Sequence, residues 1–214
     1  MNIDQIKKEF PIFDNKVQNN DLVYLDSANS SQKPRIVIDR IYDFYSKEFS
    51  NVGRSVHYLA VAATNLYEQT RTSVQKYINA SDKNEIVFTK GATEAINLVA
   101  NTFGQKYLDE GDEVLITELE HHSNYVPWHF LRKSKKIKIK FNEVNDQGEV
   151  TLEEIEKKIT DRNKIICVTH LSNVTGAILP IKEIVSFAHS KGIPVLVDGC
   201  QGAPHLKLSL IHIS

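Results

Sequence analysis

Short apolar runs alternate with amphipathic stretches along most of the chain. From Glu85 onward the runs are Ile86-Val87-Phe88, Val114-Leu115-Ile116, Ile137 to Phe141, Ile165 to Val168 and Val195-Leu196-Val197, which predict five strands. Between them Ala92, Ala95, Ile96, Val99 and Phe103 fall on one helical face, as do Leu152, Ile155 and Ile159, and then Ile181, Ile184, Val185 and Ala188. Ahead of this region Leu22-Val23-Tyr24-Leu25 reads as one short strand. Ala63, Leu66, Tyr67, Thr70, Val74, Tyr77 and Ile78 recur at helical spacing. Strand and helix in alternation give an α/β architecture, a mostly parallel sheet with covering helices. Ligands in such sheets bind beyond the carboxyl ends of the strands, so the residues after each run are the ones that carry chemistry.

After Phe88 the chain reads Thr89-Lys90-Gly91-Ala92-Thr93-Glu94 and enters a helix. A glycine turn feeding a helix N-terminus offers free amides and a favourable dipole to an anion, and a phosphate suits it. The same letters also suit a plain helix cap, with Thr93 or its neighbour as the capping residue. The string is neither a Walker A loop nor G-x-G-x-x-G, so a nucleoside triphosphate or a dinucleotide is not indicated. After Ile116 come Glu120-His121-His122-Ser123-Asn124 and Pro127-Trp128; adjacent histidines diverge, which suits a ring stacked on a flat ligand better than a shared metal. After Val168 comes Thr169-His170-Leu171-Ser172-Asn173, and after Val197 comes Asp198-Gly199-Cys200-Gln201. A phosphate cup, a stacking ring, an amide and a carboxylate-plus-amide pair are the set that pyridoxal phosphate requires. Its phosphate needs amides and a hydroxyl, its ring a stacking face, its phenolic oxygen donors, and its pyridinium nitrogen a carboxylate.

Composition narrows the field without adding chemistry. In 214 residues, 41% are hydrophobic and 25% charged, ordinary globular usage, and 26 basic against 27 acidic residues leave a formal charge of −1. That balance gives no field to gather nucleic acid or an anionic membrane. Cys167 and Cys200 are too few for a disulfide framework or a four-thiolate metal site, which points to a reducing, cytoplasmic setting. The start, MNIDQIKKEF, lacks the apolar run of a signal peptide, and no membrane-spanning run of about 18 apolar residues is expected.

These strings together resemble the cysteine desulfurases of the sulfur-mobilisation (Suf) type within the class V aminotransferases. The resemblance is carried by residues 89–100, 120–128, 170–176 and 195–201, with Phe10-Pro11-Ile12 and Tyr24-Leu25-Asp26-Ser27-Ala28 at the amino end. It implies the large domain of a pyridoxal-phosphate-dependent transferase of the aspartate aminotransferase-like fold type I, with its C-terminal part missing. Residues 1–60 would form an N-terminal segment, residues 61–208 a partial cofactor-binding domain, and residues 209–214 a tail outside the resemblance. The implied site has Thr93 and the Ala92 amide on the phosphate, His121 on the pyridine ring with a possible acid–base role, Asp198 on the ring nitrogen, and Asn173 and Gln201 on the phenolic oxygen. Ala28 and His57 are the implied substrate contacts, although Asn29 stands where relatives carry alanine and Gly53 where they carry histidine. The Schiff-base lysine and the nucleophilic cysteine of the family would lie beyond Ser214, which makes the 214-residue chain an inactive fragment by expectation; Cys200 is read as structural. The implied activity converts L-cysteine to L-alanine and passes sulfane sulfur to a Suf-type acceptor protein for iron–sulfur cluster assembly, in a homodimer. A selenocysteine lyase, another class V lyase or aminotransferase, and a non-catalytic cofactor-binding chain are the alternatives.

Overall fold

The computed structural model describes residues 2–54 and 56–210, which form two compact units divided between Ser73 and Val74. The first unit opens with α1 (Ile3–Lys8), capped by the Asn2 side chain, which accepts the Asp4 amide at 3.1 Å. A two-residue hairpin follows, β1 (Lys16–Val17) and β2 (Asn20–Asp21), turning through Gln18 and Asn19 at φ 51° and 66°. Two consecutive left-handed residues match the twist of a tight hairpin. α2 (Arg35–Asp43) and α3 (Tyr58–Tyr77) complete this part, and α3 contains the division. The helix begins where His57 Nδ1 accepts the Ala60 amide, and it ends at Asn79, whose φ of 49° turns the chain out of the helix. Among the described residues before the division, the only buried hydrophobic ones are Ala60 and Ala63.

In the second unit α4 (Ala92–Val99) runs through a π-helical stretch, Ala100–Gly104, into α5 (Gln105–Tyr107). Then follow β3 (Glu113–Thr117), α6 (Val126–Lys135), β4 (Lys138–Asn142), α7 (Leu152–Lys158), β5 (Asn163–Thr169), α8 (Ile181–Ser190), β6 (Val195–Asp198) and α9 (Gly202–His205). The four strands make one parallel sheet in the order β4-β3-β5-β6. β3 and β5 are interior, and alternate residues feed two cores. Leu115, Ile166 and Val168 join Ile155, Ile181, Ile184 and Val185 of α7 and α8 on one face. Val114, Ile116, Ile165 and Cys167 join Ala100, Leu108, Trp128 and Leu131 on the other. Burying each large side chain contributes about 1.5–3 kcal/mol against leaving it in water. α7 starts on a capping box in which Thr151 and Glu154 satisfy each other's backbone amides. Gly104 lets α6 come close, since a Cβ there would stand 2.6 Å from Leu131 Cδ2.

The α/β layer architecture and four of the five strands are as the apolar pattern predicts. Two expected strands are not. Residues 86–88 run extended outside the sheet, because three apolar residues become a strand only where a neighbour takes up their ladder, and the described sheet ends at β4 and β6. Residues 22–25 are likewise not a strand; the pairing falls just upstream, where the Gln18-Asn19 turn can close it. α6 has no counterpart in the sequence-based reading. No helix among the described residues is long and apolar enough to cross a membrane. Of the expected tail, 209–214, residues 211–214 lie outside the described residues, while the Leu210 amide bonds Ile78 O at 2.9 Å.

Candidate active site

Strand order reverses direction between β3 and β5: the chain goes from β3 outward to β4, then crosses back to β5 and on to β6. A crevice is expected at the carboxyl ends on either side of such a switch. Six of the eight candidate residues belong to the second unit.

Ala92 and Thr93 open α4. Its N-cap, Gly91, contributes no side-chain bond, and no acceptor takes up the amides of Ala92, Thr93 or Glu94 among the described residues. The Thr93 side chain is exposed, and Asn97 Nδ2 donates to its carbonyl at 2.8 Å. Thr93 therefore is not the helix cap, which was the plainer reading of this string. Glu94 instead reaches back to accept the Lys90 amide at 2.6 Å. Free amides at a helix start, a hydroxyl beside them and no competing cap form an anion-binding end.

His121 precedes a one-turn 3-10 helix, His122–Asn124, which packs on α4. Its Nδ1 accepts the Ser123 amide at 3.2 Å and lies 2.8 Å from Ser123 Oγ. An Nδ1 that accepts leaves the ring proton on Nε2 and fixes the ring's orientation. The His122 ring sits edge-on, 5.9 Å away at 76°. Asp198 ends β6 and is 8% exposed; its Oδ1 accepts the Cys200 amide at 2.9 Å, and its carbonyl accepts the His170 amide at 2.9 Å. Gln201 is the N-cap residue of α9 and half-buried.

Asn173 is placed differently from the strand-end position expected. It is exposed, near the tip of a loop closed by the Leu171–Ile178 bridge and by Ser172 Oγ, which accepts the amides of Val174 and Thr175. Ala28 and His57 belong to the first unit and are exposed. Ser55 lies outside the described residues.

Two features escaped the sequence-based reading. Glu120 is held at the switch point by Thr117 Oγ1 and the Thr169 amide, both donating to Oε1 at 2.6 Å, and by Asn124 Nδ2, donating to Oε2 at 2.7 Å. Burial pushes its carboxyl up to about 7 against the lowering effect of these three bonds, with the Asp198 charge adding to the rise. His170 packs on the backbone of Gly202, where a Cβ would stand 2.6 Å from Nδ1, and burial lowers its pKa. Neither thiol is activated: burial pushes both Cys167 and Cys200 up, and the charges of Glu120 and Asp198 respectively add to it.

The family model for class-V aminotransferases matches residues 23–213. The chain belongs to this family. A probable cysteine desulfurase of Halalkalibacterium halodurans is 46% identical to this class-V aminotransferase chain over 210 residues, 98% of the chain and 52% of the relative. The crystal structure of the cysteine desulfurase CsdA from Escherichia coli, an S-sulfonic acid form, superposes with a TM-score of 0.86 at 36% identity, covering 100% of this chain and 52% of that one. The apo cysteine desulfurase of Thermococcus onnurineus gives 0.90 at 33% identity, covering 100% and 51%. This class-V chain thus spans about half the length of the relatives it matches.

Proposed function

We propose that this chain is the cofactor-holding part of a pyridoxal-phosphate-dependent cysteine desulfurase, which converts L-cysteine to L-alanine and passes on sulfane sulfur. The observation that carries the reading is the uncapped start of α4, with its unused amides and the exposed Thr93 hydroxyl, on a helix that packs against the His121 turn. A phosphate needs several donors that nothing else has claimed, and this end supplies them. Pyridoxal phosphate, when bound, supplies the electron sink that lets the Cβ–S bond of cysteine break.

The chain's own residues divide the remaining work. Thr93 and the amides from Ala92 onward bind phosphate through charge-assisted hydrogen bonds. His121, oriented by Ser123 and carrying its proton on Nε2, would stack on the ring and could offer that proton for transfer. Asp198, held by the Cys200 amide, would pair with the ring nitrogen and favour its protonated form. Gln201, the N-cap residue of α9, would address the phenolic oxygen. The enzyme works as a cytoplasmic homodimer and hands sulfur to a Suf-type acceptor for iron–sulfur cluster assembly. The nucleophilic cysteine is neither Cys167 nor Cys200, whose thiols both stay protonated at neutral pH.

The test has two arms. Equilibrium dialysis of the chain against pyridoxal phosphate, with Thr93→Val and His121→Ala beside it, reads cofactor retention. Protein of the relatives' full length, given L-cysteine, is assayed for alanine and sulfide, with His121→Ala and Asp198→Ala beside it. Retention that is lost in the variants, with turnover abolished by Asp198→Ala, supports the reading. No retention by the parent chain, or equal small effects of His121→Ala and Asp198→Ala on turnover, overturns it.

A further inference from the structure

Glu120 has no role in the reading above, yet it is the most heavily bonded side chain at the switch point. Its carboxyl joins three elements: Thr117 at the end of β3, the Thr169 amide at the end of β5, and Asn124 in the turn that follows His121. All three partners donate, so all three bonds are made to a carboxylate that only accepts. Thr117, Thr169 and Asn124 are themselves buried, at 2%, 6% and 0% exposure. The Asn124 amide donates through Nδ2 to Glu120, while its Oδ1 is buried and has no partner. An orphaned amide oxygen beside a carboxyl calls for a reason, since a buried acceptor without a partner is destabilising.

We infer that Glu120 is a positioning residue that ties the His121 turn to the end of β5, and that Asn124 turns its amide over to keep the tie when Glu120 takes up a proton. In the ionised state Nδ2 donates to Oε2. In the protonated state Oε2 carries a hydrogen and needs an acceptor, and Oδ1 becomes that acceptor once the amide has rotated. Oε1 keeps the bonds from Thr117 and Thr169 in both states. The exchange moves one proton between solvent and Glu120 and breaks no covalent bond. The titratable groups that act on Glu120 are Asp198 at the end of β6 and Cys167 within β5, and the histidines of its own loop are His121 and His122. The value of the tie for cofactor binding rests on His121 being the ring-stacking residue; the tie itself does not.

The experiment needs no cofactor. In ¹⁵N-labelled protein the Asn124 side-chain NH₂ and the Thr169 backbone N–H are followed through neutral pH, in the parent chain and in Glu120→Gln and Glu120→Ala. Both resonances should titrate together in the parent and be flat in Glu120→Gln, whose amide imitates the protonated acid by donating to Oδ1. Exchange protection of the Asn124 backbone amide should survive in the parent at both ends of the titration and in Glu120→Gln. In Glu120→Ala it should fall about tenfold or more, as loss of bonds to a charged group predicts. Titration that persists in Glu120→Gln assigns the proton to another group and overturns the inference. So does unchanged protection in Glu120→Ala. Cofactor retention measured on the same samples separates the two claims: a broken tie with unaltered retention leaves the tie standing and counts against the His121 assignment.

Discussion

Replacing Glu120 with glutamine should change how stability depends on pH, and the sign follows from burial. The carboxyl titrates at an ordinary value of 4.5 when unfolded and at about 7 in the folded chain. A raised carboxyl pKa means that the folded state binds the proton more tightly than the unfolded one. Its stabilising contribution is therefore complete below about 4.5 and is lost as pH rises through 7. At about 1.4 kcal/mol per pH unit, that interval corresponds to about 3 kcal/mol. Glutamine has the protonated acid's shape and no charge, so Glu120→Gln should escape the loss. The two proteins should differ by a constant amount in acid, and the variant should gain about 3 kcal/mol on the parent between about pH 4.5 and 8. Contributions from other ionisable groups cancel in the difference. Trp128 is the single tryptophan and is fully buried, so its emission during urea unfolding reports the transition at each pH. A difference that stays flat across that range means that the buried carboxyl titrates as it does in water, and the account of Glu120 fails.

Thr93→Val should weaken pyridoxal phosphate retention about tenfold or more, the equivalent of one charge-assisted bond of about 1.5–3 kcal/mol, with the circular dichroism spectrum unchanged; equal retention by dialysis refutes the cup. Gly104→Ala should destabilise by about 1–3 kcal/mol through overpacking, since its Cβ would meet Leu131 Cδ2 at 2.6 Å and Trp128 Cζ3 at 3.3 Å, and a melting temperature equal to the parent's counts against this helix contact. Glu113→Gln should behave oppositely to Glu120→Gln. Burial pushes Glu113 up, but bonds from Lys140 and Thr160 with the lysine charges outweigh it, and its pKa lies below the ordinary 4.5. Its contribution is present above about 4.5 and lost as pH falls through the folded value, so the variant should be the less stable protein at neutral pH and converge on the parent in acid.

The parts of the fold that could be read from the sequence are those where one local pattern decides. Val114-Leu115-Ile116 and Ile165 to Val168 are apolar on both faces because both strands are interior, and the helical stripe Ile181, Ile184, Val185, Ala188 is the stripe that α8 buries. α6 stayed hidden because only Pro127, Trp128 and Leu131 of its ten residues are buried, too few to show as a helical stripe; its proline sits in the first turn, where it is tolerated. Residues 86–88 carry a strand's composition, but composition does not supply a ladder. Among the residues proposed for the site, the placing of Thr93, His121 and Asp198 after apolar runs could be read from the sequence. Glu120 could not, since its decisive partner, the Thr169 amide, is 49 residues away and belongs to a backbone that carries no side-chain signal. The loop position of Asn173 was equally out of reach, because it is set by the Ser172 hydroxyl and the Leu171–Ile178 bridge.

The order β4-β3-β5-β6 also sets the sequence of events as the chain is made. β3 is complete at Thr117 and can pair with β4 once residue 142 has emerged, but its other edge stays open until β5 arrives at residues 163–169. During that interval an apolar parallel strand waits with unpaired amides and carbonyls, the condition under which growing chains stick to one another. Every strand contact in this four-stranded sheet spans a helix, so none can form by zipping from a tight turn, and its assembly is governed by the closure of long loops. Glu120 enters this timetable too: its carboxyl follows β3 directly yet receives the Thr169 amide only when β5 docks, so the His121 turn is secured at the step that closes the sheet's interior.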